Sequence, residues 1–304
     1  MTPIAGAAED STGADERLPT RAVRVVEQAG ALDDAGAAIG KAVRRAIGPS
    51  EVKEALSGTW LGHALHPLLT DVVIGSLVSA TLLDVLGGDR DGAAAERLIA
   101  VGLASYPPTA VTGTNDWADT EIVDPRIRRV GLAHAAANAT ALVLYATSLA
   151  ARRRGARTRG KLLGLTGAAA LAAGGYLGAH MSFVQGVGPN QTAFDPGPKD
   201  WSDAAESERL AANEPLAVVV GDTPVLLLRH GDGLHAIHDR CSHRGCPLSD
   251  GEIDGEVVVC GCHGSRFRLR DGSVERGPAT APQPVFETRE REGRIQVRLR
   301  APAG

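Results

Sequence analysis

Apolar positions are laid out in two different ways along this 304-residue chain. Between residues 68 and 184 they run in four long stretches rich in Ala, Gly and Leu, whereas from residue 216 onward they come in short runs. The first stretch, 68–86, is interrupted by Asp71 and Asp84. The second, 98–115, carries no charge but contains Pro107-Pro108, and the third and fourth, 130–151 and 162–184, are uncharged throughout. A helix needs about 20 apolar residues to cross a bilayer. The third and fourth stretches meet that length, and the first two lie near its lower limit. Helices buried in soluble domains seldom stay uncharged all round over such a length, so the pattern predicts a four-helix membrane domain. Gly164, Gly167, Gly174, Gly175 and Gly178 in the fourth stretch suit close packing of membrane helices.

Residues 1–18 are polar and read as disordered, and no apolar h-region marks a cleavable signal peptide in the first 20. Residues 19–47 place Val23, Val26, Ala29 and Val43 among basic residues, as in one amphipathic helix ending at Gly48-Pro49. It would lie on a membrane surface or pack against the next domain. The expected organisation is a tail and amphipathic helix over 1–50, a membrane domain over 51–187, a linker over 188–200 and a β-rich domain over 201–304. The strand-like runs are 216–220, 225–230, 234–237, 256–259, 267–270, 285–288 and 295–299. Turn signals separate them at Gly221-Asp222, Gly231-Asp232-Gly233, Asp271-Gly272 and Glu292-Gly293. Short strands with Gly-rich turns indicate an antiparallel sandwich or small barrel.

Charge adds an orientation. The connection between the third and fourth stretches holds Arg152, Arg153, Arg154, Arg157, Arg159 and Lys161, and Arg90 and Arg97 fall on the same side. Lys53, Arg126, Arg128, Arg129 and Lys199 fall on the other. The larger set marks the cytoplasmic side, which puts both termini and the β domain on the outer face. A net charge of −4 points to no nucleic acid partner.

All four cysteines lie in the last third. The text Cys241-Ser-His243-Arg-Gly-Cys246-Pro, followed by Cys260-Gly-Cys262-His263-Gly-Ser265, offers C-x-H and C-x-x-H separated by 16 residues. A two-iron cluster uses such a set asymmetrically, two thiolates on one iron and two imidazoles on the other. Neutral imidazoles lower the negative charge on the cluster and raise its potential, into roughly −150 to +300 mV. Zinc sites draw instead on C-x-x-C pairs.

These motifs resemble the Rieske [2Fe-2S] family over about residues 200–300, with Gly245 and Pro247 beside the first loop and Gly264 and Ser265 after the second. The segment Gly277-Pro278-Ala279 with Pro282 and Pro284 is similar to the family's proline loop. The resemblance implies metal ligands Cys241, His243, Cys260 and His263 and a [2Fe-2S] cofactor. It also implies a disulfide between Cys246 and Cys262, as in the Rieske proteins of quinol-oxidising bc complexes. The implied fold is two domains, an all-α transmembrane four-helix bundle followed by an all-β Rieske domain with a cluster-binding subdomain. Ser265 would donate to a cluster sulfide. The members of highest potential have a Tyr two residues beyond that Ser; here Phe267 stands instead and cannot donate. Hydrogen bonds to sulfur tune potential, so a midpoint below about +250 mV is expected.

The membrane domain resembles domain-of-unknown-function family 2231, through Gly62-His63-Ala-Leu-His66-Pro67 and Gly186-Val187-Gly188. Ionisable residues within membrane segments are functional candidates, here His63, His66, His134, His180, Asp71 and Asp84. Paired histidines could hold haem b, and the two carboxylates could serve protons or a quinone. Helix capping and interhelical hydrogen bonding also account for the histidines, and no haem is expected. The expected function is a membrane-anchored, one-electron transfer protein without a complete catalytic site. Its partners would be a redox protein or quinone and the lipid bilayer. The alternatives are a ferredoxin-like component feeding a separate oxygenase and the Rieske subunit of a bc-type complex. An oxygenase acting in cis is excluded, because no His follows His263 to complete a mononuclear iron site.

Overall fold

The computed structural model describes residues 17–231 and 233–300. The polar tail expected over 1–18 therefore lies almost wholly outside the described residues, as does Asp232 of one expected turn. The expected single helix over 19–47 is two helices, α1 (Leu18–Glu27) and α2 (Asp33–Ile47), divided by a 3₁₀ turn at Gly30–Leu32. Gly30 weakens helical continuation, and the break lets each half seat on its own part of the bundle. α1 packs on helix α6 (Pro125–Arg153), and α2 on α6 and helix α5 (Gly92–Thr120). Arg129 pairs with Asp33, and Arg44 with Glu121 at 2.7 Å. Packing on the next domain is thus the observed arrangement.

Helix α3 (Glu51–Ser57) starts where the Ser50 hydroxyl accepts the Lys53 N–H, and it ends at left-handed Gly58. Four long helices follow: α4 (Leu65–Leu86), α5, α6 and α7 (Arg157–Phe183). They match the four apolar stretches but run longer at most ends. α6, for example, begins at Pro125, with the Asp124 side chain capping it. Pro supplies a helical φ at the first turn, where no N–H partner is missing. α4, α6 and α7 are long and apolar enough to cross a membrane; α5 is not apolar enough. At 1.5 Å per residue the 22 residues of α4 reach about 33 Å, against a hydrocarbon core of about 30 Å.

α4 packs along α5 and α6 along α7, and the two hairpins close around Val73, Leu77, Ala80, Ile99, Tyr145 and Leu171. Small residues let the helices approach. A Cβ at Gly174 of α7 would lie 2.6 Å from Asn138 Oδ1 on α6, so any larger side chain would push the hairpin apart.

The β domain holds two antiparallel sheets. Six strands, β1 (Ser202–Glu206), β2 (Leu216–Val220), β3 (Thr223–His230), β4 (Gly233–His238), β9 (Val285–Arg291) and β10 (Arg294–Leu299), run in the order β1-β10-β9-β4-β3-β2. β1 and β2 lie against each other, nearly closing the sheet. A smaller sheet of β5 (Glu252–Asp254), β6 (Val257–Val259), β7 (Arg266–Arg268) and β8 (Val274–Arg276) forms a second lobe. Seven of these strands overlap the seven apolar runs. β1, β5 and β8, as Ser-Asp-Ala-Ala-Glu, Glu-Ile-Asp and Val-Glu-Arg, are too polar or too short to announce themselves.

Candidate metal centre

The two motif loops leave the sheets on matching backbone frames. In the first, Cys241 N donates to Cys246 O at 2.8 Å and Gly245 N donates to Cys241 O at 2.8 Å. In the second, Cys260 N donates to Ser265 O at 2.8 Å and Gly264 N donates to Cys260 O at 2.9 Å. Each loop therefore closes on itself five residues after its cysteine, through a glycine at φ +76° that a Cβ would disfavour. The frames differ in what they carry. The imidazole is the second residue after Cys241 but the third after Cys260. The second place after Cys260 is taken by Cys262, which forms a disulfide with Cys246 of the first loop. The loops are thus bonded to each other beside the site.

Cys241 and Cys260 are free thiols with almost no exposure. The sulfurs of Cys246, Cys260 and Cys262 lie within 4.8 Å of one another. Two of those three are joined in the disulfide, so Cys260 is the available donor among them. The Cys241 thiol donates to Cys260, which pushes Cys260 down to about 6 and holds Cys241 well above its usual value. The His243 and His263 rings meet edge to face with centroids 5.1 Å apart. Burial, first, and then Arg244 and the neighbouring imidazole hold His243 far below its ordinary pKa; burial likewise lowers His263. Both rings are therefore neutral near pH 7, the form that binds metal. His243 Nδ1 is buried and makes no hydrogen bond, as a nitrogen reserved for a metal would be. Two free thiols and two neutral imidazoles fit the donor set of a Rieske cluster.

A buried glutamine absent from the sequence expectation pins the first loop. Gln283, in the proline segment, accepts Ser242 N at 2.8 Å and donates to His238 O and Arg240 O. Its only sequence signal is a polar residue between two prolines. Ser265 is fully buried, and its hydroxyl oxygen accepts Ala279 N at 3.0 Å, which ties the proline segment to the second loop. Phe267 sits in the core behind the loops, with Leu248, Leu269 and Val258. His238 is buried, accepts Arg240 N on Nδ1 and donates from Nε2 to Asp195 of the linker.

Of the helical candidates, His66 and His134 lie within electrostatic reach of each other. His63 is exposed, with Nδ1 beside Ala64 O. His66 Nδ1 donates to Thr109 O at 3.0 Å, and His134 Nδ1 donates to Gly174 O at 2.8 Å. His180 pairs with Glu27 of α1. Asp71 is on the exposed side of α4. Asp84 is buried against Arg152, which donates to it from both terminal nitrogens, at the end of the bundle fed by the basic α6–α7 connection. Two of the basic residues that set the orientation, Arg152 and Lys53, are therefore buried partners rather than solvated charges.

The β-domain motifs sit against the opposite end of the bundle. Lys53 of α3 donates to Asp119 of α5 at 2.8 Å, and Asp119 Oδ2 lies 3.7 Å from His243 Nε2. In the sequence Lys53 counts only as a loop charge and Arg244 only as part of the first motif, and nothing there singles out Asn115, Asp116 or Asp119, because what singles these residues out is their meeting where the two domains join.

Residues 200–287 match the Rieske [2Fe-2S] domain family, and residues 62–191 match the family described as predicted membrane protein (DUF2231). The anthranilate 1,2-dioxygenase ferredoxin subunit of Burkholderia cepacia is 32% identical over 100 residues, 33% of this chain and 93% of that protein. Ferredoxin CarAc of Metapseudomonas resinovorans is 38% identical over 78 residues, 26% of this chain and 73% of that protein. The cytochrome b6-f complex iron-sulfur subunit of Chlorobaculum tepidum is 30% identical over 78 residues, 26% of this chain and 42% of that protein. The chain belongs to the Rieske [2Fe-2S] family and is an electron-transfer protein whose cluster domain is anchored to a membrane by a DUF2231 helical domain.

Proposed function

We propose that Cys241 and Cys260 hold one iron of the cluster and His243 and His263 the other. The observation that carries this is the convergence of two matching loops, which bring two free buried thiols and two neutral imidazoles to one place. The cluster supplies one-electron exchange at a potential raised by its neutral ligands. The protein residues exclude water, keep the imidazoles neutral and aim the histidine edge at the helical domain. On this reading the chain passes single electrons between a redox partner protein and a second partner at the membrane, a protein or a quinone. The α6–α7 connection faces the cytoplasm and the cluster domain lies on the outer face, where the Cys246–Cys262 disulfide is at home. Labelling single-cysteine variants of the α6–α7 connection in intact cells tests that orientation.

A second reading, a ferredoxin-like component feeding a separate oxygenase, is supported by the similarity to dioxygenase ferredoxin subunits. The deciding experiment is low-temperature EPR of the dithionite-reduced, detergent-purified protein, followed by a redox titration. A rhombic signal with mean g below the free-electron value is expected, with a midpoint below about +250 mV. Zinc with a silent spectrum would overturn the ligand assignment. Oxidation of the reduced protein by added quinone would favour a membrane acceptor, and inertness to quinone with oxidation by an oxygenase component would favour the second reading.

A further inference from the structure

Buried polar atoms without hydrogen-bond partners are uncommon in folded proteins, yet in this chain they concentrate where the β domain meets the helices. Asp119 Oδ2, Asn115 Oδ1 and Thr59 Oγ1 on the helical side lack partners, as do Arg244 Nε and Nη1, His243 Nδ1 and His263 Nε2 on the other. The junction is closely fitted. A Cβ at Gly277 of the proline segment would lie 1.9 Å from Thr59 Oγ1, and one at Gly264 would lie 3.4 Å from Pro49. Glu54 of α3 faces Arg276 at 3.7 Å.

At the centre of this junction stands one ion pair. Asp119 is 1% exposed and Lys53 7%, and the Lys53 bond at 2.8 Å uses only Oδ1. The second oxygen, Oδ2, is turned to His243 Nε2 at 3.7 Å, on the far side of that ring from the buried, unpartnered Nδ1. The His263 ring faces the Asp119 backbone and feels its carboxylate, while its Nε2 completes no hydrogen bond. Arg244, beside His243, lies within electrostatic reach of both Asp116 and Asp119. Both imidazoles that the proposed ligand set assigns to iron thus face a single carboxylate that comes from the other domain.

We propose that Asp119, braced by Lys53, is the residue through which the helical domain docks the histidine edge of the iron site and holds its potential down. This rests on the ligand assignment above. Reduction adds negative charge to the site, and a buried carboxylate near the imidazoles disfavours that charge. Lys53 offsets part of the effect and orients the carboxylate through its 2.8 Å bond to Oδ1. Docking also removes water from the histidine edge, which disfavours the added charge in the same direction. Asp119 is a positioning residue: it acts through His243 and His263 and binds no iron.

The test is a redox titration, read by EPR, of the full-length protein and three variants. Asp119→Asn removes the carboxylate and is expected to raise the midpoint. Lys53→Met leaves the carboxylate unopposed and is expected to lower it. Thr59→Trp places an uncharged wedge in the Gly277 contact and is expected to raise the midpoint by parting the two domains. The expected size is a tenfold change in the reduced-to-oxidised ratio at fixed ambient potential, about 59 mV for a one-electron couple. Opposite shifts from the two members of one ion pair are not produced by general loosening of the fold. Should Asp119→Asn fail to fold, Lys53→Met and Thr59→Trp still give opposite predicted signs. The inference is overturned if the folded variants stay within twofold of the parent ratio, or if Lys53→Met shifts in the same direction as the others. A parent protein without a Rieske signal would overturn the ligand assignment; a parent with the signal and unshifted variants would overturn this inference alone.

Discussion

The β domain and the helical bundle bury their polar groups by different means. Around the iron site many partners are close in sequence, although Gln283 reaches the first loop from about forty positions away. Gly245 returns to Cys241, Gly264 to Cys260, Ser249 to Asp239 and Ser265 to Ala279, within four to fourteen positions. In the helical domain several buried charges pair across long separations. Lys53 meets Asp119 66 residues on, Asp84 meets Arg152 after 68, and Arg44 meets Glu121 after 77. A loop that closes on itself within a few residues must be written as a contiguous motif. An ion pair between helices needs only one suitable residue on each, at matching heights, and leaves no local pattern. The chemistry-bearing loops are therefore conspicuous in the sequence, whereas the groups that face them from the bundle are not.

The largest effect is expected at the loops. Cys241→Ser or Cys260→Ser removes one of the two free thiols and should abolish bound [2Fe-2S], with loss of both visible absorbance and iron. Retention of full iron by either variant would show that the local frame is not what holds the metal. Next comes the long-range class. Arg152→Met leaves Asp84 charged and buried without its partner, and breaking a buried pair in this way costs about 3–5 kcal/mol. A lowered unfolding temperature in detergent measures it. The double variant Arg152→Met with Asp84→Leu should recover most of the loss, because no lone charge remains buried. Recovery in the double variant separates the cost of an orphaned charge from the net worth of the pair. The smallest expected effect is at the disulfide, which spans 16 residues. Replacing Cys246 and Cys262 together by Ser should cost about 2–4 kcal/mol, measured by denaturant unfolding of the metal-free protein. In the metal-bound protein the proposed ligands of both loops are held by the same cluster, so the cost should be smaller. An equal loss in both forms would mean that the cluster does not bridge the loops.

Phe267 and Ser265 show how far a local motif extends. Their identity beside the second loop is plain in the text, but one partner of Ser265 is Ala279, fourteen residues on, whose N–H reaches its oxygen. Gln283 goes one step further. It spans both sides of the first loop from a segment about forty positions away, and nothing in Pro-Gln-Pro marks it.

The sequence by itself determined the two-domain character, the four long helices, seven of the ten strands among the described residues and the motifs that carry the family. Each of these is set by periodicity or by spacing within a short window, where the chain has few conformations to choose from; the cofactor and the cysteine pairing came from the family resemblance that those motifs carry. It did not determine the break between α1 and α2, because one glycine in an amphipathic run leaves a continuous and a divided helix close in energy until packing on α5 and α6 decides between them. Nor did it determine the fates of His66, His134, His180 and Asp84. An ionisable residue in an apolar stretch signals only that a partner is needed. Which partner depends on the height and rotation at which two helices meet, and that is fixed by packing at contacts such as Gly174, Tyr145 and Leu77. The placement of Asp119 against His243 belongs to the same class, since it exists only once the bundle has formed and the β domain has closed on its end.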